Sequence, residues 1–233
     1  MIHARCGSIW KMIGVGVGVI AAHMATAQDI SPAISPAEKL LFQTQHLQNI
    51  HRPMVLTYAY QKVSNVEPGF DDQVHVDVTK INQDGSAAAS LRFLSGNRKL
   101  DISEVENLHG NPALLGFLER DIGEMKRLTN GSKNYFRKRI RLALAGAAHV
   151  RRVFFTYDGK QLEGQEVSVQ PYRNDPLHER FEKYVNKSYV FVISNGVPGS
   201  VYQVRSSLSG VGSGPQEQMV MDETLTLIRD GKS

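Results

Sequence analysis

The stretch "NPALLGFLERDIGEMKRLTNGSKNYFRKRIRLALAG", residues 111–146, decides the fold class, because it has a helical period inside a chain that mostly alternates. Asn111 can cap a first helix with Pro112 behind it, and apolar residues then recur three and four positions apart. The turn residues "TNGS" interrupt this pattern, and Ser132 can cap a second helix. The stretch therefore predicts two consecutive helices.

The segments on both sides of these helices alternate with a period of two, which is typical of half-buried strands. Before them, "RPMVLTYAYQKV", "FDDQVHVDVTKI" and "SAAASLRFLSG" predict three strands, preceded by a helix over residues 35–50 with a Ser35/Glu38 capping box. After them come a hairpin at Asp158–Gly159, two strands around residues 195–199 and a closing strand, "EQMVMDETLTLI".

This pattern predicts one α+β fold. We expect a curved antiparallel sheet of about seven or eight strands, which can form an incomplete barrel. The helical insertion around residues 111–148 is expected to pack on one face of the sheet. A strongly curved sheet of this kind can leave an apolar groove between itself and its helices.

The first residues predict export. A basic leader, an apolar stretch of 11 residues ("MIGVGVGVIAA") and the small residues "ATA" are typical of a secretory signal peptide. A spanning helix needs roughly 20 apolar residues, so a membrane anchor is disfavoured. We expect residues 1–27 to be cleaved, leaving residues 28–233 as a single domain in the periplasm or outer envelope. Cleavage would remove the only cysteine, which excludes thiolate chemistry.

The basic residues are concentrated in the helical insertion. Residues 111–152 contain ten basic and three acidic residues, a net charge of +7. On a helical wheel, Arg137, Lys138 and Arg141 lie opposite the apolar positions of the second helix. These three residues are the candidate ligand-binding residues.

Three kinds of anion could lie opposite this basic face. The first is internal: Glu119, Asp121 and Glu124 of the preceding helix. The second is a lipid, an anionic amphiphile or a membrane surface, in which case the protein would contact the membrane peripherally. The third is an acidic envelope protein. Nucleic acid is disfavoured as a partner, because the compartment is wrong and aromatic residues are few in the basic stretch.

Two segments carry a resemblance to known proteins. The quoted helical stretch, together with "PYRNDPLHERFEKYVNKSYVFVISNGVPGSVYQ" (residues 171–203), resembles a group of exported proteobacterial proteins of unassigned function. The order of elements also resembles, loosely, that of the LolA-like lipoprotein carriers. That likeness implies a curved sheet that wraps helices and holds acyl chains, and it implies no site residues here.

Motifs for catalysis are weak. The chain has no G-x-S-x-G elbow and no H-E-x-x-H pair, and no cofactor or metal is predicted. The alternative of a metal site rests on His75, Asp71 and Asp77, which share one face of a strand. We expect a non-enzymatic binding or accessory protein that holds an apolar or anionic amphipathic molecule. The alternatives are an envelope-assembly component acting through protein contacts and a hydrolase of unknown type.

Overall fold

The computed structural model describes residues 33–210 and 219–228. The strands in these residues are β1 (Met54–Ser64), β2 (Phe70–Ile81), β3 (Ala87–Phe93), β4 (Leu100–Leu108), β5 (His149–Tyr157), β6 (Lys160–Val169), β7 (Ser188–Ile193), β8 (Val201–Ser209) and β9 (Met219–Ile228). The helices are α1 (Pro36–Glu38), continued by a π-helical turn (Lys39–Gln43), α2 (Pro112–Thr129) and α3 (Lys133–Gly146). Short 3-10 segments lie at His46–Asn49, Gly96–Arg98 and His178–Tyr184.

One antiparallel sheet contains all nine strands of the described residues, in the order β4-β3-β2-β1-β9-β8-β7-β6-β5. The closing strand β9 lies in the middle, where it pairs with β1 on one side and with β8 on the other. It joins two arms of four sequential strands each. The predicted α+β fold, with an antiparallel sheet and a helical insertion, is confirmed, and the sheet is open.

The helical insertion connects the two edges of the sheet. Helix α2 follows edge strand β4, and α3 precedes the opposite edge strand β5. An antiparallel sheet whose edges are joined in this way needs a connection long enough to cross a face, and the two helices supply it. We call the face that they cover the inner face.

The inner face forms the core with the helices. Alternate residues of the central strands are buried there, and the apolar stripes of α2 and α3 pack against them. The ring of Tyr60 in β1 contacts Phe93 of β3 at a ring-centroid distance of 5.9 Å and Phe117 of α2 at 6.1 Å. Gly116 allows this approach, since a Cβ there would lie 2.8 Å from Leu91 Cδ2 and 2.9 Å from Phe93 Cδ2.

The strand that the sequence analysis missed is the edge strand β4. Its sequence, "LDISEVENL", is mostly exposed, so burial imposes little alternation on it. Leu100, Ile102 and Val105 pair with inner-face residues of β3 but remain 40–41% exposed, because the helices do not reach this edge. Two bulges and three acidic residues make the edge a poor template for further strands.

The N-terminal helix is shorter than predicted. The capping box is confirmed: the Ser35 hydroxyl accepts from the Glu38 amide at 3.1 Å, and the Glu38 carboxylate accepts from the Ser35 amide at 3.0 Å. The helix then widens into the π turn and continues as a 3-10 segment. Asn111 caps α2 as predicted, whereas Ser132 holds the capping position of α3 without a side-chain hydrogen bond.

The predicted signal peptide lies outside the described residues. Within the described part of the chain, none of the helices combines the length and the apolar character needed to cross a bilayer.

Candidate functional site

The three predicted ligand-binding residues lie on the solvent side of α3. The helix commits Phe136, Ile140 and Leu144 to the core, each at most 3% exposed. The helical period therefore turns Arg137, Lys138 and Arg141 outward, and all three are exposed. Whether they bind a ligand stays a prediction.

Arg137 already has a carboxylate partner. Its guanidinium donates two hydrogen bonds to Glu119 of α2, from Nε at 2.8 Å and from Nη2 at 2.7 Å. The hydrogen bonds from Arg137 hold the pKa of the Glu119 carboxyl below its ordinary value. The internal interpretation of the basic stretch therefore holds for this residue.

Two other arginines of the stretch also have carboxylate partners within the protein. Arg127 forms ion pairs with Glu124 at 2.6 Å and with Glu67 at 3.1 Å. Arg139, on the other flank of α3, pairs with the buried carboxylate of Asp175 at 2.6 Å. Each of these side chains is held by the protein itself.

Lys138 and Arg141 differ from them. Among residues 33–210 and 219–228, no carboxylate lies within ion-pair distance of either side chain. The two residues are one helical turn apart, so their charges act on the same region of solvent. They form the uncommitted part of the basic face.

An apolar groove opens beside this basic face. It has a volume of about 280 Å³ and lies on the outer side of the helical layer, between α1, α2 and α3. Its lining is mainly aliphatic and aromatic, with charged groups only at the rim: Glu38, Phe42, Leu115, Leu118, Glu119, Ile122, Arg137, Ile140, Arg141 and Leu144. We call it the outer groove.

The N-terminal segment forms one wall of the outer groove. The Ser35 hydroxyl donates to the carbonyl oxygen of Leu144 at 3.0 Å, which ties the start of α1 to the end of α3. The following π turn leaves Phe42 44% exposed beside the groove, and Leu115 of α2 is 50% exposed at the opposite wall. The groove thus has half-exposed apolar side chains at its mouth.

The space between the sheet and the helices, where sequence analysis expected a groove, is filled. The residues of α2 that face the sheet, among them Phe117 and Met125, are at most 1% exposed. The gap between Leu128 of α2 and Ser206 and Leu208 of β8 has no room for a water molecule. The outer groove does not occupy this space, since α1 with its π turn, α2 and α3 alone line it.

A buried ionic network occupies part of this filled space. Asp121 of α2 accepts hydrogen bonds from the amine of Lys187, from the hydroxyl of Tyr189 at 2.5 Å and from the hydroxyl of Ser206 at 3.2 Å. Each of the four residues is at most 4% exposed. The carboxylate thereby joins α2 to β7 and β8.

A second carboxylate joins α2 to the middle of the sheet. Glu223 of β9, 1% exposed, binds Arg120 of α2 at 3.2 Å and Lys62 of β1 at 3.3 Å. Lys62 also pairs with Glu67 at 2.7 Å. Together with Asp121 and Lys187, these residues give three positive and three negative charges, so the network is balanced.

Burial and charge act in opposite directions on the network. Burial by itself would raise the pKa of the Glu223 carboxyl, but the positive charges of Arg120, Lys187 and Lys62 outweigh it, and the pKa lies below its ordinary value of 4.5. Burial, reinforced by the Asp121 charge, raises the pKa of the Tyr189 hydroxyl well above 10.0. At neutral pH, Glu223 is therefore ionised and Tyr189 remains a donor.

The sequence contains a signal for the network that sequence analysis missed. Lys62 continues the period of two set by Tyr58 and Tyr60, and Glu223 lies between Met221 and Leu225 on the inward side of β9. A charged residue at a position where the period requires an apolar one indicates a buried partner.

The alternative metal site finds no support in the geometry. His75 lies on β2, where its Nδ1 is 3.3 Å from the hydroxyl of Thr57 on β1. Within the described ranges, no group of three or more histidine, cysteine, aspartate and glutamate side chains is placed to hold a metal ion.

Comparisons with known proteins find a weak likeness only. No family model and no curated protein matches the chain. A LolA superfamily protein from Nitrosomonas europaea is similar in structure, with 10% identity and a TM-score of 0.22 over 83% of this chain and 94% of that chain. A hypothetical lipoprotein from Escherichia coli (K12) has 14% identity and a TM-score of 0.18 over 84% and 94%. They fit the loosely LolA-like architecture expected from the sequence, and at these scores they carry no argument about function.

Proposed function

We propose that this protein is a periplasmic binding protein that holds the acyl chain of an anionic amphiphile in the outer groove. The observation that carries the proposal is an apolar groove whose rim includes Arg141, a guanidinium without a carboxylate partner among the described residues. The periplasmic location rests on the signal peptide predicted for residues 1–27.

The shape of the groove supports one chain rather than a whole lipid. Its volume of about 280 Å³ is at the lower end of the ~300–1,000 Å³ typical of ligand pockets. Leu118, Ile122 and Ile140 provide an apolar wall without polar groups, so transfer of a hydrocarbon chain from water into the groove is favourable. A single chain would also cover Phe42 and Leu115, which are half exposed.

The charge of the rim supports an anionic headgroup. Arg137 is neutralised by Glu119, whereas Arg141 and, beyond the rim, Lys138 are not neutralised by any described residue. A carboxylate or phosphate near Arg141 would form a charge-assisted hydrogen bond, which is stronger than a neutral one. The rim also carries the Glu38 carboxylate, which accepts from the Ser35 amide, so the expected preference for an anion rests on Arg141 and Lys138.

Titration with a fluorescent single-chain carboxylate, below its micelle concentration, tests the proposal. We expect saturable binding by the wild type and weaker binding of the corresponding alcohol. Arg141→Glu should weaken binding of the carboxylate by about tenfold or more, since the loss and reversal of one charge near an anion each cost about 1 kcal/mol. Leu115→Glu places a charge in the groove and should abolish binding of both compounds.

Lys160→Glu is the matched control for charge, because Lys160 is exposed at the tip of the β5–β6 hairpin and does not line the groove. It should bind as the wild type does. Circular dichroism establishes that each variant is folded. The proposal is wrong if the wild type binds neither compound, or if Arg141→Glu and Lys160→Glu bind the carboxylate equally well.

A further inference from the structure

We infer that the surface around the mouth of the outer groove docks on an anionic lipid bilayer, from which the amphiphile would enter. The inference rests on the proposed function in one respect, namely that the groove accepts an acyl chain. It adds a partner, the bilayer, and a set of residues outside the groove that contact it.

The docking surface combines exposed apolar and basic side chains. Leu142 of α3 is 45% exposed and Phe42 is 44% exposed. Lys138 and Arg141 lie within one turn of Leu142 on α3, and Lys39 is exposed in the same segment as Phe42. We call these five residues the docking face.

Two of the docking-face residues neither pack in the core nor line the groove. Leu142 and Lys138 point away from the core stripe of α3, and neither lines the groove. An exposed leucine one helical turn from an uncommitted lysine offers an apolar contact beside a positive charge. Apolar groups rimmed by polar residues are typical of surfaces that bind a partner or a membrane.

The charges of the docking face favour a bilayer that contains anionic lipid. The five residues include three cations and no acidic residue. Of the two carboxylates at the rim of the groove, Glu119 is neutralised by Arg137 and Glu38 accepts a hydrogen bond from the Ser35 amide. Each cation near such a surface contributes around 1 kcal/mol, and this contribution falls off within a Debye length. The apolar stripe of α3 is committed to the core, so the apolar contribution of the docking face comes from Leu142 and Phe42. Docking is therefore weak, reversible and sensitive to salt.

Sedimentation with vesicles tests the inference. The probes are vesicles of phosphatidylcholine alone and of phosphatidylcholine with phosphatidylglycerol, each at low and at high salt. We expect the wild type to bind only the anionic vesicles and to be released by high salt. Lys138→Glu should weaken this binding by about tenfold, and Leu142→Asp should weaken it further, because a carboxylate would replace the apolar contact.

The matched controls are Lys160→Glu and Val66→Asp. Val66 is 66% exposed in the turn between β1 and β2 and does not line the groove. Both controls should bind vesicles as the wild type does. The inference is overturned if the wild type binds the two kinds of vesicle equally or binds neither, or if Lys138→Glu and Leu142→Asp bind like the controls.

The soluble carboxylate separates this inference from the proposed function. Leu142→Asp should keep its affinity for the carboxylate within about threefold, since Leu142 does not line the groove, whereas Lys138→Glu is used in the vesicle assay only, because the charge of Lys138 also supports the anionic headgroup. A wild type that binds the carboxylate but no vesicles refutes docking alone. A wild type that binds anionic vesicles but no carboxylate refutes the groove as a binding site and leaves docking in place.

Discussion

Replacing Asp121 by asparagine tests whether the buried ionic network holds α2 on the sheet. Asp121 is 1% exposed and accepts from three donors, Lys187, Tyr189 and Ser206. Asparagine has almost the same size, but it offers one acceptor oxygen instead of two and turns an amide donor toward the other donors. It also leaves the amine of Lys187, 4% exposed, without its direct ion-pair partner and with only the more distant charge of Glu223.

The magnitude follows from this loss of a counter-charge. Removing one partner of a buried ion pair costs about 3–5 kcal/mol, because the remaining charge stays desolvated and uncompensated. We therefore expect Asp121→Asn to lower the free energy of unfolding by about this amount. Urea unfolding followed by circular dichroism at neutral pH measures the difference, and an unchanged slope shows that both proteins unfold in the same way.

Glu119→Gln is the matched control on the same helix. The Glu119 side chain is 44% exposed and pairs with Arg137 at the surface, where such pairs contribute about 0–1 kcal/mol. If the two variants lose similar amounts of stability, within about 1 kcal/mol, the network does not have the assigned role.

The double variant Asp121→Leu with Lys187→Met gives a second check. It removes both charges, so it should be more stable than Asp121→Asn, although it also leaves Tyr189 without its acceptor. Folded Asp121→Asn should bind the soluble carboxylate as the wild type does, because the network and the outer groove lie on opposite sides of α2. A large change in affinity would place the ligand between the sheet and the helices and would contradict the proposed site.

Three further predictions concern the core. The pKa of Glu223 is lower in the folded protein than its ordinary value of 4.5. Ionised Glu223 therefore stabilises the fold fully above pH 4.5, and this stabilisation is lost as the pH falls through the folded pKa. The difference in the free energy of unfolding between wild type and Glu223→Gln, measured with urea, should accordingly shrink in acid. Burial raises the pKa of four tyrosine hydroxyls: Tyr58, Tyr60, Tyr172 and Tyr189. Their contribution to the stability of the fold is therefore complete below pH 10.0 and is lost as the pH rises further. An absorbance titration should show these tyrosines ionising only as the circular dichroism signal of the fold disappears, and earlier ionisation would contradict their burial. Gly116→Ala should destabilise the protein by about 1–3 kcal/mol, because the added Cβ would press on Leu91 and Phe93. Gly146→Ala should instead stabilise it by up to ~1 kcal/mol, because a Cβ there would meet nothing within 4 Å. Thermal unfolding measures both variants, and equal shifts of the melting temperature would refute the assigned contact.

Much of the fold could be predicted because it depends on local periods. The alternation of β2, the capping of α2 by Asn111 and the break at "TNGS" are each set by residues a few positions apart. Strand β4 could not be predicted in this way, since an edge strand that the helices do not cover is under no pressure to alternate. The widening of the N-terminal helix was also missed, since no residue of Lys39–Gln43 signals a π turn in the sequence.

The candidate site was predictable only in part. The outward direction of Arg137, Lys138 and Arg141 follows from the helical wheel alone. Which of them has a partner depends on the position of Glu119, in another helix, and sequence spacing does not determine that position.

The sequence by itself determined the type and order of most elements, and which face of α3 carries its charges, because these depend on side-chain periods within one element. Only the tertiary structure decided that β9 joins the two arms, that Asp121 and Glu223 neutralise buried cations, and that the groove lies outside the helical layer. Each of these depends on contacts between residues far apart in the chain, such as the 103 positions that separate Arg120 from Glu223. Such contacts are set by how the elements pack, and packing has no period that a single sequence displays.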